Sequence, residues 1–375
     1  DIIVGAPGYD GGQTNEGRAL LYFGSASGLY TSAGWTAESD SQNARFGSSV
    51  STAGNVNKQT DDYDDVIIGA PGYQSGGVTV GAAFCYHGCS TGLTTGTSIY
   101  GTQAGSSFGA VVACLGSVNG DTNDDVVVGA PYYDNGQTDE GRVYYYYGSA
   151  NGLTTPSNNY FESNQANAHF GASVASAGHS INSTYNGILV GAPDYDNGQT
   201  DEGRVYIYYS TGSGYGTPIT LESNQAGAKF GASVALAGDV NNDTYDDILV
   251  GAPYYDYGQT DEGRVYYYYG SVNGLTTPTN NYFESDLASA NFGYVVAGVG
   301  DVNADGADDI AVSAKQTTSK GATVQIYYGS LNGVITNYNC TVNALQANSD
   351  FGAAVAPAGD INNDGNADVL IGAPA

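Results

Sequence analysis

The stretch FGASVALAGDVNNDTYDDILVGAP, residues 230–253, decides the architecture, because it is one copy of a unit that recurs along the whole chain. A Phe-Gly pair begins at Phe46, Phe108, Phe170, Phe230, Phe292 and Phe351, with successive gaps of 62, 62, 60, 62 and 59 residues. Gly-Ala-Pro keeps step at Gly5, Gly69, Gly129, Gly191, Gly251 and Gly372, and a degenerate Ser-Ala-Lys at Ser313 fills the one vacancy. A fixed period of this kind sets the architecture, because each copy is one supersecondary unit that must stack on its neighbours to bury its faces.

Within the period from 230 to 291, four short runs rich in β-branched and aromatic residues are separated by Gly, Asn, Asp, Thr and Pro clusters: FGASVALAG, DILVGAP, GRVYYYYG and NNYFES. These read as four strands, with no sustained helical period. The expected fold is therefore all-β, a β-propeller of four-stranded antiparallel blades, six by repeat count, in which radial repetition limits exposed sheet edges. The first strand is built from Gly, Ala and Ser, as suits a crowded inner position. The third carries Tyr144–Tyr147 and Tyr266–Tyr269, placing rings on both sheet faces as expected when each blade is covered on both sides.

Residues 1–375 are expected to form one domain of about six repeats with partial blades at both ends. There are seven second strands but six of each other kind, since residues 1–7 duplicate the role of 368–374. Either the last first-type strand joins the opening strands to close a six-bladed ring, or a seventh blade is incomplete, or a half-blade is completed by the next molecule in a head-to-tail filament. Asp1 falls in the middle of a repeat, and the lack of any Met fits a processed or partial chain.

Composition narrows the partners. Nine Lys+Arg against 38 Asp+Glu give a net charge of −29, which disfavours nucleic acid and anionic membrane and favours cations. With 41% hydrophobic residues and 33 Tyr the chain is folded rather than a solvated acidic tail. No apolar run approaches the roughly 18 residues of a membrane helix, and no leader opens the sequence. Cys85, Cys89, Cys114 and Cys340 are too few for a disulfide framework, and no second Cys pair matches a metal half-site.

The chemistry concentrates in the loop between the first and second strands. Its best copies are DVNNDTYDD from Asp239, DVNADGADD from Asp301 and DINNDGNAD from Asp360. Side-chain oxygens recur at alternating positions: Asp239, Asn241, Asp243 and Asp247; Asp301, Asn303, Asp305 and Asp309; Asp360, Asn362, Asp364 and Asp368. The carbonyls of Tyr245, Ala307 and Asn366 supply the seventh position. Alternation within a tight turn aims successive oxygens at one centre, which suits Ca²⁺ with its six to eight oxygen ligands. An EF-hand is excluded, since no bidentate Glu stands at position twelve and strands follow directly. That missing ligand shifts the expected affinity toward extracellular modules, on the order of 10⁻⁴ to 10⁻³ M.

The other copies decay. At 117–125 Ser117 replaces the first Asp while Asn119, Asp121, Asn123 and Asp125 remain, predicting a weakened site. At 55–65 an insertion with Lys58 leaves Asn55, Asn57, Asp61 and Asp65 as uncertain ligands, and at 179–187 His179, Ile181, Ser183 and Gly187 predict no site.

Phe-Gly, DxNxDxxxD and Gly-Ala-Pro, in that order and at this period, resemble the FG-GAP repeats of integrin α-subunit propellers and their prokaryotic relatives, over essentially the whole chain. The resemblance implies calcium at Asp239, Asn241, Asp243, Asp247 and the Tyr245 carbonyl, and at the matching positions of the other two loops. It implies seven blades against the six periods counted here, with calcium loops on one face and partners on the other. Three functions are in view: a calcium-binding secreted or cell-surface adhesion module that binds a protein or glycan, a subunit of an extracellular filament, sheath or matrix, and the propeller domain of a secreted hydrolase or lyase.

A second motif, GQTDEGRV after Asp134, Asp196 and Asp256, with GQTNEGRA after Asp10, occupies the connection between second and third strands and holds four of the five arginines. Two readings apply: a partner-binding rim with Tyr132, Tyr133, Tyr254 and Tyr255, or arginines that pair with nearby acids to fix the turn. His87, His169 and His179 have no triad or paired-metal spacing, and Gly105-Ser-Ser-Phe-Gly109 matches a nucleophile-elbow pattern without its strand-turn-helix setting. Sequons begin at Asn182, Asn242 and Asn339. Glycan attachment at Asn182 and Asn242 predicts an intact mass above the 38.4 kDa of the peptide, and an unmodified mass would exclude it.

Overall fold

The computed structural model describes residues 1–375 except 59–61, 155–158, 182–184, 277–280, 316–320, 347–348 and 375. Asp61, Asn182 and Ser183 therefore lie outside the described residues. No helix occurs among the described residues, which form antiparallel sheets in chain order. Five sheets have four strands each, a three-stranded sheet holds residues 2–6, 18–22 and 35–38, and a two-stranded sheet holds 354–359 and 368–372. A short ribbon pairs Gln74–Ser75 with Val78–Thr79. The chain is a β-propeller repeat protein in which each period supplies one blade.

Two compact units are present, residues 1–176 with 210–216, and 177–209 with 217–375. In the first lie the three-stranded sheet and the four-stranded sheets running from Ser49 to Tyr100 and from Val111 to Glu162. In the second lie the sheets running from Ser233 to Glu284 and from Val296 to Asn343, and the two-stranded sheet.

The second strand is the centre of each blade. Asp65–Ala70, Asp125–Ala130, Gly187–Ala192, Asp247–Ala252 and Asp309–Ala314 are buried at every residue, which is why they read as apolar runs rather than alternating patterns. On the third strand, Tyr144 stacks with Tyr146 on one face while Tyr145 contacts Tyr147 on the other. The Phe of the Phe-Gly pair packs edge-on to a third-strand ring, Phe108 against Tyr144 at 5.4 Å and Phe230 against Tyr266 at 5.3 Å.

Successive repeats lock through backbone. The Phe46, Phe170, Phe230 and Phe292 amides donate to the carbonyls of Glu16, Glu140, Glu202 and Glu262 in the preceding repeat, at 3.0–3.1 Å. The next residue of that preceding motif is Gly17, Gly141, Gly203 or Gly263, and a Cβ there would overlap the Phe backbone. Glycines of Phe-Gly donate to the Gly-Ala-Pro carbonyl of their own blade, as Gly109 does to Gly129 at 3.0 Å. The α-carbon of Gly69 in turn sits against the Gly109 carbonyl of the next repeat, with no room for a side chain.

The first strand ends in a bulge. Register shifts occur at Thr52/Gly54, Cys114/Gly116, Leu236/Gly238, Gly298/Gly300 and Pro357/Gly359, each with the glycine at positive φ. The bulge re-aims the chain into the acidic loop. Gly69→Ala is expected to cost about 2–4 kcal/mol in denaturant unfolding, because buried backbone must move. Gly8→Ala, where a Cβ meets nothing within 4 Å, is expected to stay within about 0.5 kcal/mol.

Candidate functional site

The acidic loops close on themselves through their own carboxylates. In the loop from Asp239, the Asp243 and Thr244 amides donate to the two Asp239 oxygens at 2.9 and 2.7 Å, the Asp243 amide also to Asn241 Oδ1 at 3.1 Å, and the Tyr245 amide to Asp243 Oδ1 at 3.0 Å. The loop from Asp301 repeats this, with Asp305 and Gly306 amides on Asp301 and the Ala307 amide on Asp305 Oδ1 at 3.0 Å. In the loop from Asp360, Asp364 and Gly365 amides reach Asp360 at 3.0 and 2.9 Å, and the Asn366 amide reaches Asp364 at 2.9 Å. Oxygens at loop positions one and five are thus held within one tight turn in all three copies.

Two left-handed residues shape that turn. Position four is Asn242, Ala304 or Asn363, with φ of 55°, 59° and 59°. Position six is Gly306 or Gly365 in two copies, but Thr244 at φ 79° in the third, a conformation that strains a β-branched residue.

The ninth position does separate work. Asp65, Asp125, Asp247 and Asp309 are fully buried, and each bridges two backbone segments. One oxygen of Asp247 accepts the Val240 amide at 3.0 Å, and the other accepts the Gly270 amide beyond the third strand at 2.8 Å. Asp125 does the same with Val118 and Gly148, Asp309 with Val302 and Gly329, and Asp65 with Val56 and Gly88. Asp368 accepts the Ile361 amide at 3.0 Å. Burial lifts the carboxyls of Asp247, Asp125 and Asp309, to about 8, about 7 and about 6. The bridged amides pull the other way, and neighbouring loop carboxylates such as Asp243 and Asp239 add to the rise.

The donor set fits a hard divalent cation. Asn362 Oδ1 at position three and Asn123 Oδ1 at position seven are buried with no hydrogen-bond partner, and several carboxylates crowd each loop without a cationic side chain among the ligand positions. The copy at 117–125 keeps the turn, with Asp121 and Asn123 amides on Asn119 Oδ1 and Asp121 Oδ1 and Ser117 Oγ donating to the Asp121 carbonyl. At 55–65, Asn55 and Asn57 are buried, and His87 Nδ1 lies 3.3 Å from Asp65 Oδ2.

The FG-GAP repeat family matches residues 110–146, 230–268 and 351–375, each spanning a Phe-Gly region, an acidic loop or both. The chain carries FG-GAP repeats. Its repeats resemble those of integrin α propellers: integrin alpha-3 of Cricetulus griseus is 31% identical over 56% of this chain and 20% of its own length, and integrin alpha-4 of Xenopus laevis is 32% identical over 55% and 20%. Integrin alpha pat-2 of Caenorhabditis briggsae is 27% identical over 77% of this chain and 20% of its own length. The FG-GAP chain thus spans about a fifth of the length of these relatives. Among solved structures, Bacillus licheniformis rhamnogalacturonan lyase matches at a TM-score of 0.37 and 13% identity over 80% of this chain and 65% of that one, a likeness too weak to carry an argument.

In the FG-GAP chain a residue type missed from the sequence ties neighbouring loops together. The eighth position, the first Asp of each Asp-Asp pair, reaches the preceding loop: Asp308 Oδ2 accepts the Asp239 amide at 2.9 Å, Asp124 Oδ2 the Asn55 amide at 2.8 Å, and Asp246 Oδ2 the His179 amide at 2.7 Å. A Cβ on Gly54, Gly178 or Gly238 would strike these carboxylates. The doubled Asp was the available signal, and Ala367 shows its loss, leaving only an amide bond to the Asp301 carbonyl at 2.9 Å.

The second motif is structural at its arginines. Arg18, Arg142, Arg204 and Arg264 pair with Glu38, Glu162, Glu222 and Glu284 on the fourth strand, while the motif's own Glu16, Glu140, Glu202 and Glu262 are buried. Ser107 sits at φ 54° in the turn before Phe108, followed by the strand Val111–Gly116.

The raised carboxyls set a pH dependence in metal-free protein. Unfolded Asp titrates near about 3.9, so between there and the folded values the native state holds protons the unfolded chain has released. Stability in excess chelator is therefore expected to fall as pH rises from 4 through 8, with the decline removed by a bound divalent cation. Melting temperatures measured across that range with and without Ca²⁺ check both parts.

Proposed function

We propose that the chain is a non-catalytic, calcium-stabilised binding propeller that works outside the cell, on the model of the integrin α propellers its repeats resemble. The observation that carries this reading is the carboxylate-lined turn recurring at Asp239, Asp301 and Asp360. Side-chain oxygens at positions one and five are turned inward by the loop's own amides, beside a ninth-position Asp that is fully buried in the first two copies and half-buried in the third. Asp239, Asn241, Asp243, Asp247, Asp301, Asn303, Asp305, Asp309, Asp360, Asn362, Asp364 and Asp368 would hold the ions, with the Tyr245, Ala307 and Asn366 carbonyls completing each set. The copy at Asn119, Asp121, Asn123 and Asp125 would bind more weakly.

Without a twelfth-position Glu these loops fill at calcium levels found outside cells. No helix of the described residues is long and apolar enough to cross a membrane. The partner, a protein or glycan, would meet the face opposite the calcium loops, where the second-to-third-strand connections lie. Support for a binding rather than catalytic role comes from the recurring acids, which are committed to loop turns, loop-to-loop links and arginine pairs.

Chelation tests the reading. At calcium tenfold above Kd each site adds about 1.4 kcal/mol of stability through linkage, so three sites predict a drop of several degrees in melting temperature on chelation, reversed by Ca²⁺. Asp305→Asn should remove part of that calcium-dependent gain. An unchanged melting temperature in excess chelator would contradict the proposal.

A further inference from the structure

Of the four repeats that carry the motif arginine, two have a fourth-strand tyrosine and phenylalanine beside it and two have neither. Arg142 is clasped between Tyr133 and Tyr160 at 3.8 and 3.9 Å, and Arg264 between Tyr255 and Tyr282 at 3.9 and 3.8 Å. Arg204 has Tyr195 at 3.9 Å on one side, but the fourth-strand residue in register with Tyr206 is Thr220, where the sisters pair Tyr144 with Tyr160 and Tyr266 with Tyr282. The adjacent position changes in the same direction: Leu221 stands where the sisters have Phe161 and Phe283. In one sister, Phe283 fills the space toward the next blade by packing on Tyr327 at 4.2 Å.

Two missing rings leave a cleft of about 440 Å³ bordered by Arg204, Thr220, Leu221 and Glu222 of this blade and by Tyr266 and Tyr268 of the next. That volume lies within the range of about 300–1,000 Å³ that takes small ligands. Its lining joins the Arg204 guanidinium, whose side chain is 15% exposed against 9% for Arg142 and 7% for Arg264, to two tyrosines, Leu221 and two asparagines. The first repeat also lacks both rings, with Thr36 and Ala37 in those positions, but there Leu20 replaces the third-strand tyrosine and Trp35, one position before Thr36, packs on Tyr86 of the next sheet at 4.9 Å.

We propose that this cleft binds a tyrosine side chain of a partner polypeptide, its ring seated against Arg204 where Tyr160 and Tyr282 seat theirs in the sister repeats. The sisters show which ring the surrounding frame accepts. Arg204 supplies a cation to the ring face, its charge is already balanced by Glu222, and Tyr266 and Tyr268 give aromatic walls. Glu222 and a net charge of −29 disfavour an anionic ring such as a phosphorylated tyrosine. Tyrosine is also a residue type that concentrates binding energy in desolvated pockets. The proposal rests on the reading of the chain as a binding module and names the ligand class of one site on it.

The test titrates the full chain, in Ca²⁺, with p-cresol as the tyrosine side-chain probe and methyl β-glucopyranoside as the sugar probe, read by saturation-transfer NMR and calorimetry. Saturable p-cresol binding in the millimolar range is expected, weakened at least tenfold by Thr220→Tyr and by Thr220→Tyr with Leu221→Phe, each of which rebuilds the sister arrangement. Both variants should melt at or above the parent temperature, which establishes that lost binding reflects a filled cleft. Absence of p-cresol saturation, equal binding by the filled variants, or binding of the sugar in place of p-cresol would overturn the proposal. None of those outcomes alters the calcium-dependent melting that tests the wider reading, so the two fail separately.

Discussion

Close approach of one backbone to another at glycine is the constraint on which the rest of this chain depends. At Gly17, Gly141, Gly203 and Gly263 the chain passes so near the following Phe-Gly segment that a single methyl group would overlap it, and at Gly69 the same holds against the Gly109 carbonyl. Because each contact links one repeat to the next, blade spacing is fixed by backbone rather than by side-chain packing. Buried phenylalanines at 46, 108, 170, 230 and 292 then fill a gap whose width is already set.

The acidic loops hang from this frame. In five repeats a bulge at the end of the first strand re-aims the chain, and in four a buried ninth-position Asp staples the loop to the start of the second strand and the end of the third. The staple places a carboxylate where solvent does not reach, which raises the pKa of Asp125, Asp247 and Asp309. A carboxylate that burial makes costly to ionise is one whose charge a bound cation would offset. Eighth-position carboxylates at Asp124, Asp246 and Asp308 tie three of the loops to the one before.

Arginines on the opposite connections follow a different rule. Their partner is a glutamate on the fourth strand, some 18 to 20 residues further along, and aromatic rings clasp the guanidinium from its faces. The motif around them is repeated because the blade needs it. Variation between repeats, such as Thr220 and Leu221 against Tyr and Phe, is therefore where the proposed binding cleft arises.

By itself the sequence determined the period, the four strands of each repeat, the all-β class and the candidate ligand positions, since apolar runs and alternating loop oxygens are local signals and the Phe-Gly marker repeats visibly six times. Asp239, Asp301 and Asp360 were legible because their partners lie within a few residues. Only the tertiary structure decided what joins distant segments: the reach of Asp246 and Asp308 to the preceding loops, the pairing of Arg204 with Glu222, and the open cleft beside Leu221. The physical reason is that spacing along a chain fixes which side chains share a turn or a strand face. Which blade meets which ring across a gap depends on how whole sheets stack.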